Sequence, residues 1–178
     1  VRCANSLIAQ AAADAGVSPE DVFEATVVGN TCMHHLFLGL DPTNLAQAPY
    51  IPVMSAPLSA APADVGLAIN PHGNVHCLPV IAGFVGSDTV AVLALSQLTS
   101  REHPTLAIDI GTNGEVMLWS GERLLVTSCA AGPAFEGAQI EHGVRAAAGA
   151  IERVRLTNGD IQVSAIGDEP PSGICGSG

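Results

Sequence analysis

Near His103 the hydrophobic period of this chain changes. Before that point apolar residues recur at helical spacing. After it, alternation of period two runs through residues 106–110, 115–119 and 123–127. The two periods place side chains on incompatible faces, so the chain must combine helices with sheets in an α/β arrangement. The change marks a boundary near 101–104 and divides the chain into residues 1–103 and 104–178. The three strands are joined by a glycine-rich turn and by Ser120-Gly121-Glu122, short connections that dictate an antiparallel meander.

Within the first part, residues 3–15 form a helix with Leu7, Ile8, Ala11, Ala12 and Ala15 on one face, ended by Gly16. Ser18-Pro19-Glu20-Asp21 reads as an N-cap with proline in the first turn, opening a short helix. Residues 25–28 form a buried strand. Gly29-Asn30-Thr31 then turns the chain into a helix over 32–38. Asn30 and Thr31 line a cleft or cap that helix, and Asp88 carries the same two readings. Residues 41–67 contain five prolines, and Tyr50, Ile51, Val53, Met54 and Leu58 within them call for burial. A strand over 76–81 and a helix capped by Ser87 or Asp88 follow. In the second part, Thr157-Asn158-Gly159-Asp160 between two apolar stretches signals a hairpin.

Composition excludes several functions. The 178 residues carry six arginines, no lysine and 17 acidic residues, a net charge of −11. Such a surface repels phosphate backbones, which argues against nucleic acid as a partner. The apolar runs are too short and too broken to span a membrane. Five scattered cysteines without a C-x-x-C pair suit neither a disulfide framework nor a cluster-binding loop, and imply a reducing, cytoplasmic setting.

The stretch Thr105–Ile110 is apolar except for Asp109, and Gly111-Thr112-Asn113-Gly114 follows at once. A buried carboxylate at a strand end needs a partner. The turn's successive backbone N–H groups suit phosphate oxygens, and Asp109 beside them suits Mg²⁺. In the alternative, Asp109 only accepts hydrogen bonds from the turn's own amides. Two later segments favour the phosphate reading. Residues 128–137 are small around Gly132 and end near Glu136, an acid placed to order a water or a metal. Gly176, Ser177 and Gly178 close a second glycine loop, of the kind that opens a helix at a nucleotide. Ending inside such a loop suggests a piece of a longer protein. The adjacent His34 and His35 point about 100° apart on a helix and make a poor chelate; one packs and the other is exposed. His72, His76 and Cys77 have a closer ligand spacing but lie on a loop without a fourth ligand.

Five ordered blocks carry a resemblance: VVGNTCMHHLFLGLDP (27–42), IAGFVGSDTVA (81–91), IDIGTNGEVML (108–118), AAGPAFEGAQIEHGVRAAAGAIERV (130–154) and GICGSG (173–178). Together they resemble the C-terminal domain of the reductive activators of corrinoid-dependent methyltransferases, 2Fe–2S ferredoxin-like ATPases of the sugar kinase, chaperone-ATPase and actin superfamily. The resemblance implies an actin-like, ribonuclease H-like ATPase fold. Residues 1–103 would be the later part of its first lobe and 104–178 the beginning of its second, with mixed sheets flanked by helices. It implies ATP and Mg²⁺ as cofactors, with Asp109 as metal ligand and catalytic residue beside Glu136. Gly111, Thr112, Asn113, Gly114, Gly132, Gly176, Ser177 and Gly178 would bind the nucleotide. The full-length protein would be a homodimer that carries a 2Fe–2S cluster outside this chain and reduces Co(II) to Co(I) on a corrinoid protein. The segment alone would be inactive. A small-molecule kinase of the same superfamily, or a docking and dimerisation segment, are the alternative readings.

Overall fold

The computed structural model describes residues 1–132, 137 and 140–175. The chain divides into two compact units, Val1–Thr105 with Leu118–Val126, and Leu106–Met117 with Thr127–Gly178.

In the first unit, helix α1 (Arg2–Ala15) stops at Gly16, whose left-handed backbone lets its amide reach the carbonyls of Ala12 and Ala13. Only part of the expected face packs. Ala4, Asn5, Ile8 and Ala12 turn inward, whereas Leu7, Ala11 and Ala15 are exposed. Asn5 decides the rotation: its amide donates to Gly66 O (3.0 Å) and its Oδ1 accepts from Ala68 N (2.8 Å). Ser18 and Asp21 form a reciprocal capping box, but it holds only a single 3₁₀ turn, Pro19–Asp21, because Val22 is already extended.

Strand β1 (Glu24–Val27) pairs in parallel with β3 (Asn74–Cys77), and β2 (Leu58–Ala60) lies antiparallel on the other side of β3. The sheet is therefore mixed, with β3 central. β1 is half-buried, alternating outward, rather than buried throughout. β3 ends at Cys77, short of the expected 81, because Pro79 has no N–H for a ladder. Leu67, Ile69, Val75 and Cys77 form the core, and Ile8, Val27, Phe37 and Leu58 pack against it. In the Pro-rich segment, helix α3 (Pro62–Val65) and β2 find places, but Tyr50, Ile51 and Val53 remain largely exposed.

Helix α2 (Thr31–Phe37) and helix α4 (Ser87–Ser96) begin beside one another. Ser87 N and Ser87 Oγ both donate to Gly29 O (2.9 and 3.1 Å), and Gly29 N donates to Ser87 Oγ (3.0 Å). The approach is so close that a Cβ on Gly86 would lie 2.5 Å from the Asn30 Cα. Two segments 58 residues apart are thus clasped backbone to backbone.

Strands β4 (Thr105–Ile110), β5 (Asn113–Trp119) and β6 (Leu124–Ala130) adjoin in sequence order, as a meander requires. Strand β7 (Ala150–Thr157) pairs antiparallel with β8 (Asp160–Ala165) and parallel with β9 (Gly173–Ile174). Asn158 and Gly159 turn the hairpin with positive φ (54° and 90°), the geometry an Asn-Gly pair favours. Its register sets Val154 opposite Val163 and Leu156 opposite Ile161, and all four are exposed.

Candidate functional site

In the second unit, β4 alternates in a way that reverses the simplest reading of its sequence. Leu106, Ile108 and Ile110 are the exposed residues, and Thr105, Ala107 and Asp109 the half-buried ones. Asp109 is therefore half-buried rather than buried. Among the described residues no turn amide caps its carboxylate, and the Gly111 amide donates to Asn113 O (3.0 Å) instead. That bond removes one of the N–H groups expected to face a phosphate.

The glycine turn and the small-residue loop meet. Thr112 O accepts from Ala131 N (3.1 Å) and from Gly132 N (2.9 Å). Ser128 Oγ donates to Glu115 Oε1 (2.9 Å), and the Cys129 thiol donates to Gly114 O (3.4 Å). A Cβ on Gly114 would sit 3.4 Å from the Cys129 sulfur. Asp109, Gly111, Thr112, Asn113, Gly114 and Gly132 thus belong to one locality. Glu115 and Ser128 join it through their own bond, a pair the sequence pattern did not single out. Glu136, Gly176, Ser177 and Gly178 lie outside the described residues.

Asp109 is a half-buried carboxylate beside the glycine turn. That suits Mg²⁺, which keeps several waters and takes one or two carboxylates alongside phosphate oxygens. Among the described residues no group of three or more His, Cys, Asp or Glu is arranged to hold a metal by itself.

The histidines of α2 differ from expectation: both are buried, His34 at 2% exposure and His35 at 0%. His35 is fully used. Its Nε2 accepts from Val53 N (2.9 Å), so its Nδ1 carries the proton and donates to Thr31 O (2.8 Å). Among the described residues neither nitrogen of His34 has a hydrogen-bond partner. Burial, and secondarily the neighbouring His35, hold the His34 imidazole below its ordinary value. It is neutral in the fold and gains a proton more readily in the unfolded chain. Stability from this group is present above about pH 6.5 and is lost as pH falls from there through the lowered folded value. Melting temperature is expected to fall over that interval, and His34→Leu to flatten the slope.

Asn30 caps α2, its Oδ1 accepting from Met33 N (2.9 Å), and Thr31 Oγ1 donates to Ala82 O (2.7 Å). Asp88 Oδ1 accepts from Thr89 N (2.8 Å). Asn30 and Thr31 thus hold the start of α2, and Asp88 bonds within the first turn of α4. His76 lies on β3 with its Nδ1 2.9 Å from Ser59 Oγ, and burial pushes the Cys77 thiol up and leaves it unreactive. No described helix is long and apolar enough to cross a membrane.

Comparison with known proteins bears on the family and the fold. A model of the RACo middle region matches residues 1–101, and a model of the C-terminal domain of RACo, the ASKHA domain, matches residues 103–178. The chain is 41% identical over 172 residues to the corrinoid activation enzyme RamQ of Eubacterium limosum, covering 97% of this chain and 29% of that protein. It is 40% identical over 73 residues to the [Co(II) methylated amine-specific corrinoid protein] reductase of Methanosarcina barkeri, 41% of this chain and 14% of the other. Among solved structures, a reductive activator for corrinoid, iron-sulfur protein superposes with a TM-score of 0.82 at 40% identity, covering 98% of this chain and 28% of that one. The chain spans less than a third of the length of these relatives. It belongs to the RACo family of reductive activators, and its second part has the actin-like ATPase fold of the ASKHA domain.

Proposed function

We propose that this chain supplies part of the nucleotide-responsive body of an ATP-dependent reductive activator. The activator returns an inactive Co(II) corrinoid, held on the corrinoid protein of a methyltransferase system, to Co(I). One electron is gained by cobalt and one is lost by a 2Fe–2S cluster outside these residues. The names of the relatives support the substrate class, since one is a corrinoid activation enzyme and another a Co(II) corrinoid protein reductase. The observation that carries the nucleotide role is the joining of the Asp109 turn to the Gly132 loop through Thr112 O.

On this reading Asp109 holds Mg²⁺, and Gly111, Thr112, Asn113, Gly114 and Gly132 approach the phosphates. Glu136 orders a water, and Gly176, Ser177 and Gly178 complete the anion site. Residues 104–178 begin the second lobe of the ATPase and 1–103 form the later part of the first. The full-length protein is a cytoplasmic homodimer. For a one-electron step about 59 mV corresponds to 1.4 kcal/mol. An allosteric coupling of about 1–3 kcal/mol therefore lifts the electron by roughly 40–130 mV. A two-lobed hinge that closes on nucleotide is the kind of bistable element able to deliver it.

Optical monitoring of Co(II) conversion to Co(I) by the full-length protein tests this. Conversion is expected to require Mg·ATP. Equal conversion without nucleotide, or ATP consumed only by phosphorylating a small molecule, would overturn it.

A further inference from the structure

Glutamate is an unusual choice at position 115. It stands on β5, the middle strand of the meander, two residues before Met117, which is fully buried. Successive residues of a strand alternate between faces, so Glu115 and Met117 share one. The neighbouring strands alternate in the same way: Ala107 and Asp109 on β4, and Ser128 on β6, are half-buried between exposed residues. Asp109, Glu115 and Ser128 therefore lie on the covered face of one sheet. A half-buried carboxylate costs free energy there unless something bonds to it, and strands are depleted in glutamate. Among the described residues no ion pair reaches Glu115. Its bond is with the Ser128 hydroxyl, which donates to its Oε1 (2.9 Å).

A carboxylate accepts and does not donate, so the Ser128 proton is committed to Glu115. Charge-assisted bonds of this kind are about twice as strong as neutral ones. Its position along the chain gives this bond its reach, because β6 ends two residues later, at Ala130. Beyond Ser128, the Cys129 thiol donates to Gly114 O (3.4 Å), and Ala131 N and Gly132 N donate to Thr112 O (3.1 and 2.9 Å). The Glu115–Ser128 bond is thus the strong side-chain rung at the point where β6 gives way to the Gly132 loop. Gly132 has a left-handed backbone (φ 87°), and among the described residues a Cβ there would meet no atom within 4 Å. The loop is located by its bonds to the turn and by the strand end it springs from.

We propose that Glu115 is a positioning residue of the nucleotide site: by holding the Ser128 hydroxyl it fixes where the Gly132 loop leaves β6 and keeps that loop against the Thr112 turn. It acts through Ser128 and touches neither nucleotide nor metal. This role presupposes that the Asp109 turn is a phosphate site, as proposed above. Loosening the loop moves the cost of ordering it into the binding step, so affinity falls while turnover at saturation holds.

The test uses the full-length protein. It combines calorimetry of Mg·ATP, the rate of Co(II) reduction at saturating nucleotide, and hydrogen exchange at the Ala131 and Gly132 amides. Glu115→Ala is expected to weaken Mg·ATP binding about tenfold, to keep the saturated rate within about twofold, and to speed exchange at both amides. Ser128→Ala is expected to match it, and the double variant to be no worse than either, as one shared bond requires. Glu115→Gln keeps an acceptor oxygen and is expected to recover most of the affinity. Glutamine no better than alanine, or additive effects of the two alanines, would overturn the proposal, because Glu115 would then act by its charge or by another route. A saturated rate that falls with the affinity would overturn it as well. Ser128→Ala, which removes a single oxygen, carries the comparison if Glu115→Ala does not fold. Exchange separates this outcome from failure of the nucleotide reading. A parent protein that binds no Mg·ATP removes the phosphate site, yet faster exchange in Glu115→Ala that glutamine reverses still shows Glu115 holding the loop. Unchanged exchange removes that role whatever the nucleotide does.

Discussion

Asp109→Asn in the full-length protein is expected to leave the fold intact and to weaken Mg·ATP-driven corrinoid reduction by roughly 10- to 100-fold. The substitution keeps the shape of the side chain and removes its charge. Interactions with charged groups contribute about 1.5–3 kcal/mol each, and each 1.4 kcal/mol is a factor of ten. The fold is indifferent to the change because among the described residues no turn amide depends on this carboxylate. Reduction rates at saturating and limiting Mg²⁺, with thermal melting measured alongside, give the answer. An unchanged nucleotide dependence would remove Asp109 from the phosphate site. A fallen melting temperature at unchanged nucleotide affinity would instead make it a structural cap.

His35→Leu is expected to destabilise the first unit by about 2–3 kcal/mol, a fall in melting temperature on the order of 10 °C for a unit of this size. Leucine fills a similar volume, so packing is largely kept. What disappears is the bridge from Thr31 O through the imidazole to Val53 N. That bridge fixes the Pro-rich segment to α2, and without it the Val53 amide has to find another acceptor. Chemical denaturation of parent and variant measures the difference. A change below 0.5 kcal/mol, the scatter typical of surface substitutions, would show that the Val53 amide finds water at no cost.

The contrast between these two residues shows what the sequence made legible. Local punctuation could be read directly. Gly16 ended its helix, Asn158-Gly159 turned its hairpin, and Gly111-Thr112 separated two strands. Each depends on a few neighbouring residues and on backbone geometry that glycine or asparagine favours. The orientation of elements was not legible in the same way. α1 rotated away from Leu7 because Asn5 finds partners at Gly66 and Ala68, 61 and 63 residues on. β4 turned Leu106, Ile108 and Ile110 outward although a strand of that composition suggests an inward apolar face. The pairing of His35 rests on Val53, whose position 18 residues beyond it carries no periodic signal. At the candidate site, the carboxylate and the glycine turn stood out because a charge among apolar residues is anomalous. The Glu115–Ser128 bond did not, since a strand glutamate and a strand serine are unremarkable until the register brings them together.

The outward stripe of Val154, Leu156, Ile161 and Val163 on the β7–β8 hairpin has a consequence for how solutions of this chain behave. Two forces act between copies that meet through such stripes. The net charge of −11 pushes them apart, while the apolar stripes attract at contact. The repulsion reaches about 10 Å at 0.1 M ionic strength and about 3 Å at 1 M, whereas the attraction strengthens in salts excluded from protein surfaces. Dilute buffer therefore favours dispersed chains and concentrated sulfate favours clusters. Ionic strength becomes a colloidal control knob, to which four side chains on one hairpin contribute.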